Sequence, residues 1–300
     1  MNEEYKKKII ADQKLDFKKK TNKIKKNIFK SIIKEIKNFF KKNYWKILFI
    51  YKYYLITIIY YLNKKKNIFI NKISILVPSR SRSKKLDRFL NTLNINTGNK
   101  LRIEFLLLLD KDEPEFSEYE KILKKYQNNF SIKLFRENFK THAERNNFLA
   151  KNSNGTIIFP ANDDIIIETN NWDNLIDLEA AKFKKDEPFC IWPDSGNKYP
   201  FLHCHFPIIN NVWYKKLGYV ASNLFNFWYL DTWICDLAKR SNKMIYVKKI
   251  KFKEFNAQAN IEEFDNTYLQ NISDNKMEKD IDIWNNSIEL RIKDSNKLIN

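Results

Sequence analysis

Two adjacent carboxylates, Asp163 and Asp164, come directly after the apolar run Thr156–Pro160. The run has the length and composition of a buried β-strand, and Gly155 before it is a turn residue. In an open α/β sheet, ligands bind beyond the carboxyl ends of the strands, which is where Asn162 and both aspartates would lie. Carboxylates at such an edge are suitable ligands for a hard divalent cation. Phosphate oxygens and water would complete the coordination shell of that cation. The alternative is an ordinary acidic pair in a turn.

Polar residues also follow two earlier apolar runs. Ile73–Arg82 is predicted to be a strand that ends in a proline-containing polar turn, and Leu101–Pro114 is predicted to be a buried strand that ends in an acidic turn. For the acidic turn, the alternative is a set of solvated charges. The side chains at these two strand ends are Pro78, Ser79 and Arg80 in the first turn and Asp110 and Asp112 in the second.

Strand and helix patterns alternate along this part of the chain. Such alternation predicts an α/β fold with a mostly parallel sheet and helices on both faces. Neither a GxGxxG fingerprint nor a GxxxxGK[ST] loop occurs, so neither a dinucleotide site nor a P-loop accounts for the fold. The other predicted elements are helices over Lys84–Leu93, Phe116–Tyr126 and His142–Gly155 and a strand over Ser131–Glu137.

The order of these segments resembles a known family. Strand–PSRSR, strand–LDKDEP, HAERNNFLAKNSNG and strand–ANDDI, in that order, resemble the nucleotide-binding half of family-2-type glycosyltransferases with the GT-A fold. HCHFPIINNVWYKKLGYV and WYLDTWICDLAKRSNK resemble the acceptor half of that family. The resemblance covers about residues 73 to 255 and implies a GT-A domain at 72–260, with a nucleotide-binding half at 72–170 and an acceptor half at 171–260.

The resemblance implies a role for each of these polar residues. It implies that Asp110 and Asp112 accept hydrogen bonds from the base or ribose, and that Asp163 and Asp164 bind Mg²⁺ or Mn²⁺ on the diphosphate. The sequence departs from the family where Asn162 takes the first position of the DxD motif, and where KFKEFNAQAN lacks a late histidine. The full implied donor-binding set is Pro78, Ser79, Arg80, Asp110, Asp112, Arg145, Asn162 and Asp163.

An acceptor hydroxyl loses its proton as it attacks the anomeric carbon, which requires a positioned carboxylate. The resemblance implies that Asp231, near the start of a predicted helix, is this base of an inverting enzyme. The alternative for Asp231 is a plain helix N-cap, and Asp236 on the same helix is a weaker candidate for the base. His205 and Trp228 are the implied acceptor contacts. An HxH pair around Cys204, without further His or paired Cys, falls short of a zinc site.

The net charge of +19 is concentrated in residues 1–66. This segment holds 20 of the 55 basic residues and 5 of the 36 acidic ones, a net charge of +15 that leaves +4 for the rest. Its lysines interleave with apolar and aromatic residues, which predicts a basic amphipathic helix followed by a segment lying in a membrane interface. A spanning helix is less favoured, because Lys52 interrupts the apolar run. The alternative is a helical hairpin packed on protein.

Together with these patterns, the family resemblance implies a glycosyltransferase of polysaccharide and cell-envelope biosynthesis. Its donor would be a nucleoside-diphosphate sugar, its acceptor a glycan or a lipid-linked precursor, and its location the cytoplasmic face of the membrane. Three cysteines without a CxxC pair fit a reducing compartment. Residues 261–300 are predicted to form a charged helical tail. The alternatives are a nucleotidyltransferase and a non-catalytic membrane scaffold. Specific nucleic-acid binding is not expected, since lysines mixed with aromatics suit lipid better.

Overall fold

A computed structural model describes residues 71–196, 204–254 and 275–299, together with residues 30, 33–35, 37–38 and 269. The chain divides into two units, Met1–Phe69 and Ile70–Asn300. In the first unit, the six described residues are helical, and the rest of the predicted membrane-associating segment lies outside the described residues. None of the helices in the described ranges has the length and hydropathy of a membrane span.

Strands and helices alternate through the first part of the second unit, as the sequence predicts. The strands are β1 (Ile73–Pro78), β2 (Ile103–Leu109), β3 (Ser131–Arg136), β4 (Ile157–Pro160), β5 (Ile165–Ile167), β6 (Cys190–Asp194), β7 (Ile208–Asn210) and β8 (Met244–Glu254). The α-helices are α1 (Ser83–Asn96), α2 (Phe116–Tyr126), α3 (His142–Lys151), α4 (Trp172–Ala180), α5 (Asn211–Leu217), α6 (Leu230–Arg240), α7 (Lys276–Asn286) and α8 (Ile288–Ile299).

The strands form one sheet in the order β3-β2-β1-β4-β7-β6-β8-β5. The first four strands are mutually parallel, so their carboxyl ends meet at one edge. The chain turns to one side of β1 for β2 and to the other side for β4, and such a reversal of strand order creates a crevice at this edge. The sheet thereby brings together the polar turns that follow β1, β2 and β4.

Both faces of the central strands are buried, which explains their near-continuous apolar sequence. Ile73, Ile75 and Val77 of β1 face one core, whereas Leu76 faces the other. Helices α1, α2 and α4 cover the first core, and helices α3, α5, α6 and α8 cover the second. Successive residues of a strand point to opposite faces, so a short run of aliphatic residues supplies two cores at once.

The second part of the sheet mixes strand directions. β7 runs antiparallel to both β4 and β6, β6 and β8 are parallel, and β5 is antiparallel to β8. β5 directly follows the aspartate pair, and its residue Ile165 lies opposite Glu254 at the end of β8. The end of β8 is therefore brought beside the turn that carries Asp163 and Asp164.

The predicted charged tail packs on the domain. Leu298 of α8 is buried in the same core as residues of α5 and α6. Tyr219, after α5, donates a hydrogen bond to Asp294, and Arg291 Nε lies 3.0 Å from Asp236 Oδ2 on α6. Helices α7 and α8 therefore pack on the second hydrophobic core of the domain.

A fully buried carboxylate, Glu104, joins β2 to its neighbours. Its oxygens accept hydrogen bonds from Ser74 Oγ at 2.5 Å and from the backbone N–H of Asn154 at 2.8 Å, and Lys133 Nζ lies 2.8 Å away. Burial alone would raise the pKa of this carboxyl, but the hydrogen bonds from Lys133, Ser74 and Asn154 outweigh burial and lower the pKa to about 2. Glu104 therefore stabilises the fold as a carboxylate.

We expect Glu104 to dominate the acid sensitivity of the fold. Its folded pKa lies below the ordinary value of 4.5, so its contribution is complete above pH 4.5 and is lost as the pH falls towards about 2. At about 1.36 kcal/mol per pKa unit, this contribution is about 3 kcal/mol. Urea unfolding at several pH values should show this loss in the wild type and not in Glu104→Gln. The control is Asp87→Asn, which removes a carboxylate from a more exposed pair with Lys125 and should behave as the wild type. An equal dependence of the unfolding free energy on pH in Glu104→Gln and in the wild type would contradict the assignment.

Candidate functional site

The turns after β1 and β4 are joined by a buried hydrogen bond. Ser79 Oγ donates to Asp163 Oδ2 at 2.5 Å, and Arg82 NH1 lies 3.3 Å from Asp163 Oδ1. Both oxygens of Asp163 therefore have partners from the turn after β1. Ser79 is 3% exposed and also shares a 2.7 Å hydrogen bond with the hydroxyl of Tyr119. Ser79 thus orients the Asp163 side chain through this buried hydrogen bond.

The turns after β1 and β2 are joined by arginine–carboxylate pairs. Arg80 NH1 lies 2.8 Å from Asp110 Oδ2, and the Arg80 guanidinium also binds both oxygens of Asp112, at 2.7 and 3.0 Å. Arg145 NH2, from α3, lies 2.9 Å from Asp110 Oδ1. The hydrogen bond from Arg80 is the main cause that lowers the pKa of Asp112. Asp110 is thereby held between two guanidinium groups, and its carboxylate oxygens are oriented to accept hydrogen bonds from the hydroxyl or N–H donors of a nucleoside.

Glu113, just before α2, and Tyr119 of α2 fix the backbone conformation of the turn after β1. Ser81 has a positive φ of 53°, and its backbone N–H donates to the carboxylate of Glu113 at 3.1 Å. The hydroxyl of Tyr119 accepts the N–H of Arg82 at 2.9 Å. A positive φ outside glycine persists where surrounding contacts fix it. Glu113 and Tyr119 were not identified from the sequence, where the only signal was an acidic turn followed by a helix with an inward-facing tyrosine.

Asp163 and Asp164 are both buried, with 2% and 4% of their surfaces exposed. Burial, together with the charge of Asp163, raises the pKa of Asp164 to about 7. Burial also raises the pKa of Asp163, against the opposing effects of Arg82 and Ser79. Two adjacent buried carboxylates are costly for the fold unless a cation binds them. Perturbed carboxyl groups of this kind, in a crevice, are a physical indicator of a functional site.

A divalent cation fits these two residues. Oδ1 of Asp164 is buried without a hydrogen-bond partner, and an unpartnered buried carboxylate oxygen is a site that a cation would satisfy. Within the described residues, no three metal-ligating side chains converge on one point. The described part of the chain therefore offers a pair of carboxylates rather than a closed cage, which is the arrangement typical of Mg²⁺ shared with substrate phosphates. Asn162, the neutral residue of the motif, is exposed.

His205 lies beside Glu254, the last residue of β8. Its Nδ1 is 3.3 Å from Oε1 of Glu254 at the end of β8, and the charge of Glu254 contributes to the raised pKa of Asp164. Glu254 occupies the stretch KFKEFNAQAN, in which sequence reasoning found no late histidine. The structure thus brings a carboxylate and a histidine, distant in sequence, to the same side as the aspartate pair.

Asp231 is the second residue of α6, and Tyr229 is the N-cap. The plain N-cap alternative for Asp231 is therefore not what the structure shows. Asp231 Oδ1 accepts hydrogen bonds from the backbone N–H of Thr232 at 2.7 Å and from its hydroxyl at 3.2 Å. The side chain is partly exposed. Asp231 thus lies in the first turn of α6 with part of its surface exposed to solvent.

His142 lies between the candidate donor residue Arg145 and the candidate acceptor residue Asp231. Burial and the positive charges of Arg145 and Arg82 lower the pKa of His142 to about 4, and the charge of Asp231 acts in the opposite direction. Its ring lies 5.7 Å from that of Phe227, which in turn lies 5.1 Å from Trp228. The candidate donor residues and the candidate acceptor residues thus meet at the N-terminus of α3. Sequence reasoning placed His142 in the right helix without giving it a role.

Comparison with known proteins identifies the fold. No protein-family model matches the sequence, and no curated protein does. A mannosyltransferase from Pyrobaculum calidifontis, PcManGT, solved with GDP-Man and Mn²⁺, superposes with a TM-score of 0.50 at 10% identity over 61% of this chain and 56% of that one. GalNAc-T7, solved with UDP, GalNAc and Mn²⁺, superposes with a TM-score of 0.50 at 11% identity over 61% of this chain and 44% of that one.

These superpositions show that the chain has the GT-A fold, as the resemblance of its segment order implies. S. aureus TarS 1-349, solved with UDP-GlcNAc, is also similar, with a TM-score of 0.48 at 17% identity over 61% of this chain and 58% of that one. The chain spans about half the length of the solved structures that it matches. The superpositions on PcManGT and GalNAc-T7 confirm the fold class, while the activity depends on the residues of the crevice.

Proposed function

We propose that this protein is a glycosyltransferase that moves a sugar from a nucleoside-diphosphate sugar to a hydroxyl of a glycan or lipid-linked acceptor. The observation that carries the proposal is the buried pair Asp163 and Asp164, with its unpartnered Asp164 oxygen, at the carboxyl edge of a GT-A sheet. Glycosyl transfer from such a donor needs charge neutralisation at the diphosphate, a nucleoside site and a base. The crevice contains candidates for all three.

Asp164 and Asp163 are the proposed ligands of Mg²⁺ or Mn²⁺. When bound, the cation neutralises the charge that develops on the leaving diphosphate. Ser79 and Arg82 hold Asp163 in place, and Asn162 extends from the same turn towards solvent. Mn²⁺ in the PcManGT and GalNAc-T7 structures supports a divalent cation in this fold.

The nucleoside is proposed to bind where β1 and β2 end. Asp110, fixed by Arg80 and Arg145, accepts hydrogen bonds from the base or the ribose, and the more exposed Asp112 lines the same turn. The GDP-Man and UDP-GlcNAc of the similar structures support a nucleotide-sugar donor. Pro78 is buried at the end of β1, so it shapes the turn rather than contacting the donor through a polar group.

Asp231 is proposed to take the proton of the acceptor hydroxyl, which makes the enzyme inverting. His142 is neutral at pH 7 because its pKa is lowered to about 4, so it does not neutralise Asp231 by forming an ion pair. Trp228 offers an aromatic surface to the acceptor. His205 was predicted to contact the acceptor, but its contact with Glu254 favours a role on the diphosphate side.

We also propose that residues 1–66 hold the enzyme at the cytoplasmic face of a membrane, where lipid-linked acceptors of the cell envelope are found. The proposal depends on the net charge of +15 and the aromatic, apolar run of that segment, since basic residues attract anionic lipid and aromatic residues favour the interface. Flotation of the full chain with vesicles of anionic and of neutral lipid tests it. Equal flotation with both kinds of vesicle would contradict an electrostatic attachment.

Calorimetric titration of UDP, GDP and CDP into the full chain, with and without Mn²⁺, tests the proposed activity. We expect one of the three nucleotides to bind in a Mn²⁺-dependent manner, and its sugar conjugate to release the nucleoside diphosphate slowly in water. Release of pyrophosphate from a nucleoside triphosphate and a sugar phosphate would favour a nucleotidyltransferase instead. Failure of all three nucleotides to bind to folded protein would favour a non-catalytic scaffold.

A further inference from the structure

A fully buried carboxylate in α7 binds the segment that leads into α6. Asp280 has 0% of its surface exposed. Its Oδ1 accepts hydrogen bonds from the backbone N–H and the side-chain amide of Asn226, at 2.8 and 2.9 Å. Its Oδ2 accepts the backbone N–H of Phe227 at 3.0 Å and that of Trp228 at 2.9 Å. One side chain therefore binds three consecutive backbone amides.

The residue that follows these amides has an unusual conformation. Tyr229, the N-cap of α6, has a φ of 69°, which costs free energy for any residue except glycine and persists only where its surroundings fix it. The Tyr229 ring stacks on Trp284 of α7 at 5.2 Å and on Phe225 at 5.6 Å. Helix α7 thus fixes the turn twice, through Asp280 and through Trp284, immediately before Asp231.

The opposite side of the same segment contacts α3. The backbone N–H of His142 donates to the carbonyl of Asn226 at 3.1 Å, and the His142 ring lies against Phe227. Arg145 of α3 binds Asp110. The segment Asn226–Trp228 therefore lies between the helix that reaches the candidate nucleoside site and the helix that carries Asp280.

We propose that Asp280 is a positioning residue for the acceptor site. It holds the backbone of Asn226–Trp228 so that Trp228 and Asp231 face the reacting hydroxyl, and it does not itself contact the substrate. This inference rests on the proposed function. The C-terminal helices would then contribute to the reaction by positioning the acceptor site, in addition to packing in the core.

Anchoring of the helix pair does not depend on Asp280. Leu298 is buried in the core of the acceptor half, Arg291 pairs with Asp236, and Asp294 binds Tyr219. The four hydrogen bonds of Asp280 all come from Asn226–Trp228. Removing the Asp280 carboxylate therefore releases the turn while α8 stays attached, which separates positioning from general stability.

Asp280→Asn tests the proposal, and Asp294→Asn is its matched control. Asp294 is another buried aspartate of the C-terminal helices, 2% exposed, and its carboxylate binds Tyr219 and Lys297 rather than the turn. In the full chain with Mn²⁺, the probes are hydrolysis of UDP-GlcNAc and of GDP-mannose, calorimetric binding of UDP and GDP, and amide hydrogen exchange of residues 226–229. Hydrolysis uses water as the acceptor and so requires no knowledge of the natural one.

For Asp280→Asn, we expect donor hydrolysis to fall by about 100-fold, because a displacement of about 1 Å at a reacting group costs that much. Nucleotide Kd should stay within about twofold, since Asp280 lies outside the donor site, and protection of amides 226–229 should be lost. Asp294→Asn should lower Tm and leave hydrolysis within about threefold. If Asp280→Asn does not fold, Asn226→Ala removes one of the four bonds and should give a smaller loss of the same kind.

Unchanged hydrolysis in a variant whose turn has lost its protection would overturn the positioning role. Equal losses of hydrolysis and of nucleotide affinity in Asp280→Asn and Asp294→Asn would also overturn it, since both would then report general destabilisation. A wild type that binds no nucleotide overturns the proposed function, and the positioning role with it. A failure of this inference alone is recognised by a wild type that binds and hydrolyses the donor.

Discussion

Asp231→Asn is expected to reduce kcat for transfer by about 1,000-fold, within the range of about 10²–10⁴ for loss of a general base. Asparagine has the shape of aspartate and can still accept the hydrogen bonds from Thr232, but it cannot accept a proton from the acceptor. The donor site is built from other elements. The nucleotide Kd should therefore remain within about twofold of the wild type.

Single-turnover release of the nucleoside diphosphate measures this effect separately from product dissociation. Asp236→Asn is the matched control, because Asp236 lies on the same helix and its carboxylate pairs with Arg240 at 2.7 Å and with Arg291 at 3.0 Å. We expect the control to lose stability and keep most of its turnover. Wild-type turnover in Asp231→Asn, or an equal loss in Asp236→Asn, would remove Asp231 from the role of base.

Asp164→Asn is expected to have opposite effects on binding and on stability. The substitution removes one of two anionic metal ligands, so Mn²⁺-dependent nucleotide affinity should fall by about 100-fold or more. It also removes a buried charge whose pKa is raised by burial and by Asp163 to about 7. Removal of a group that is costly to ionise should raise the Tm of the metal-free protein.

The sign of the stability effect follows from linkage. The folded pKa of Asp164 lies above its ordinary value of 3.8. The contribution of Asp164 to the free energy of unfolding is therefore complete below pH 3.8 and is lost as the pH rises through about 7. The Tm advantage of Asp164→Asn should therefore be larger at pH 8 than at pH 5. Asp112→Asn, which changes a mostly exposed carboxylate, should show no such trend. A variant with unchanged Mn²⁺-dependent affinity would contradict the assignment of Asp164 to the metal.

Local patterns predicted the parallel part of the sheet well, because β1, β2 and β4 are buried on both faces and α1, α2 and α3 begin within a few residues of the strands before them. The turns after β1, β2 and β4 then had to meet, since parallel neighbouring strands end at one edge. The helix predicted over His142–Gly155 ends earlier, at Lys151. The capping box of Thr141 and Glu144 fixes its start, whereas nothing in the local sequence fixed its end.

Long-range pairing limited the prediction of the second part of the sheet, in which strand directions are mixed. β5 is three residues long and is stabilised by β8, so its local sequence carries little strand signal. The contact of His205 with Glu254 depends on that pairing. The sequence pattern assigns no role to Asp280, which is one of many charged residues in the predicted helical tail. One signal was available, since Asp280 and Trp284 are four residues apart and therefore lie on the same helical face.

The four hydrogen bonds of Asp280 have a consequence for the order in which activity arises during synthesis. The carboxylate follows its partner Asn226 by 54 residues in the chain, whereas the donor site is complete once β4 and its turn have been made. Domains begin to fold from the N-terminus as the ribosome adds about 5–20 residues per second. The ribosome therefore needs several seconds to add the residues between the turn after β4 and α7. During that interval the turn before Asp231 lacks the Asp280 side chain that fixes it, so we expect this turn to be among the last parts of the domain to become ordered.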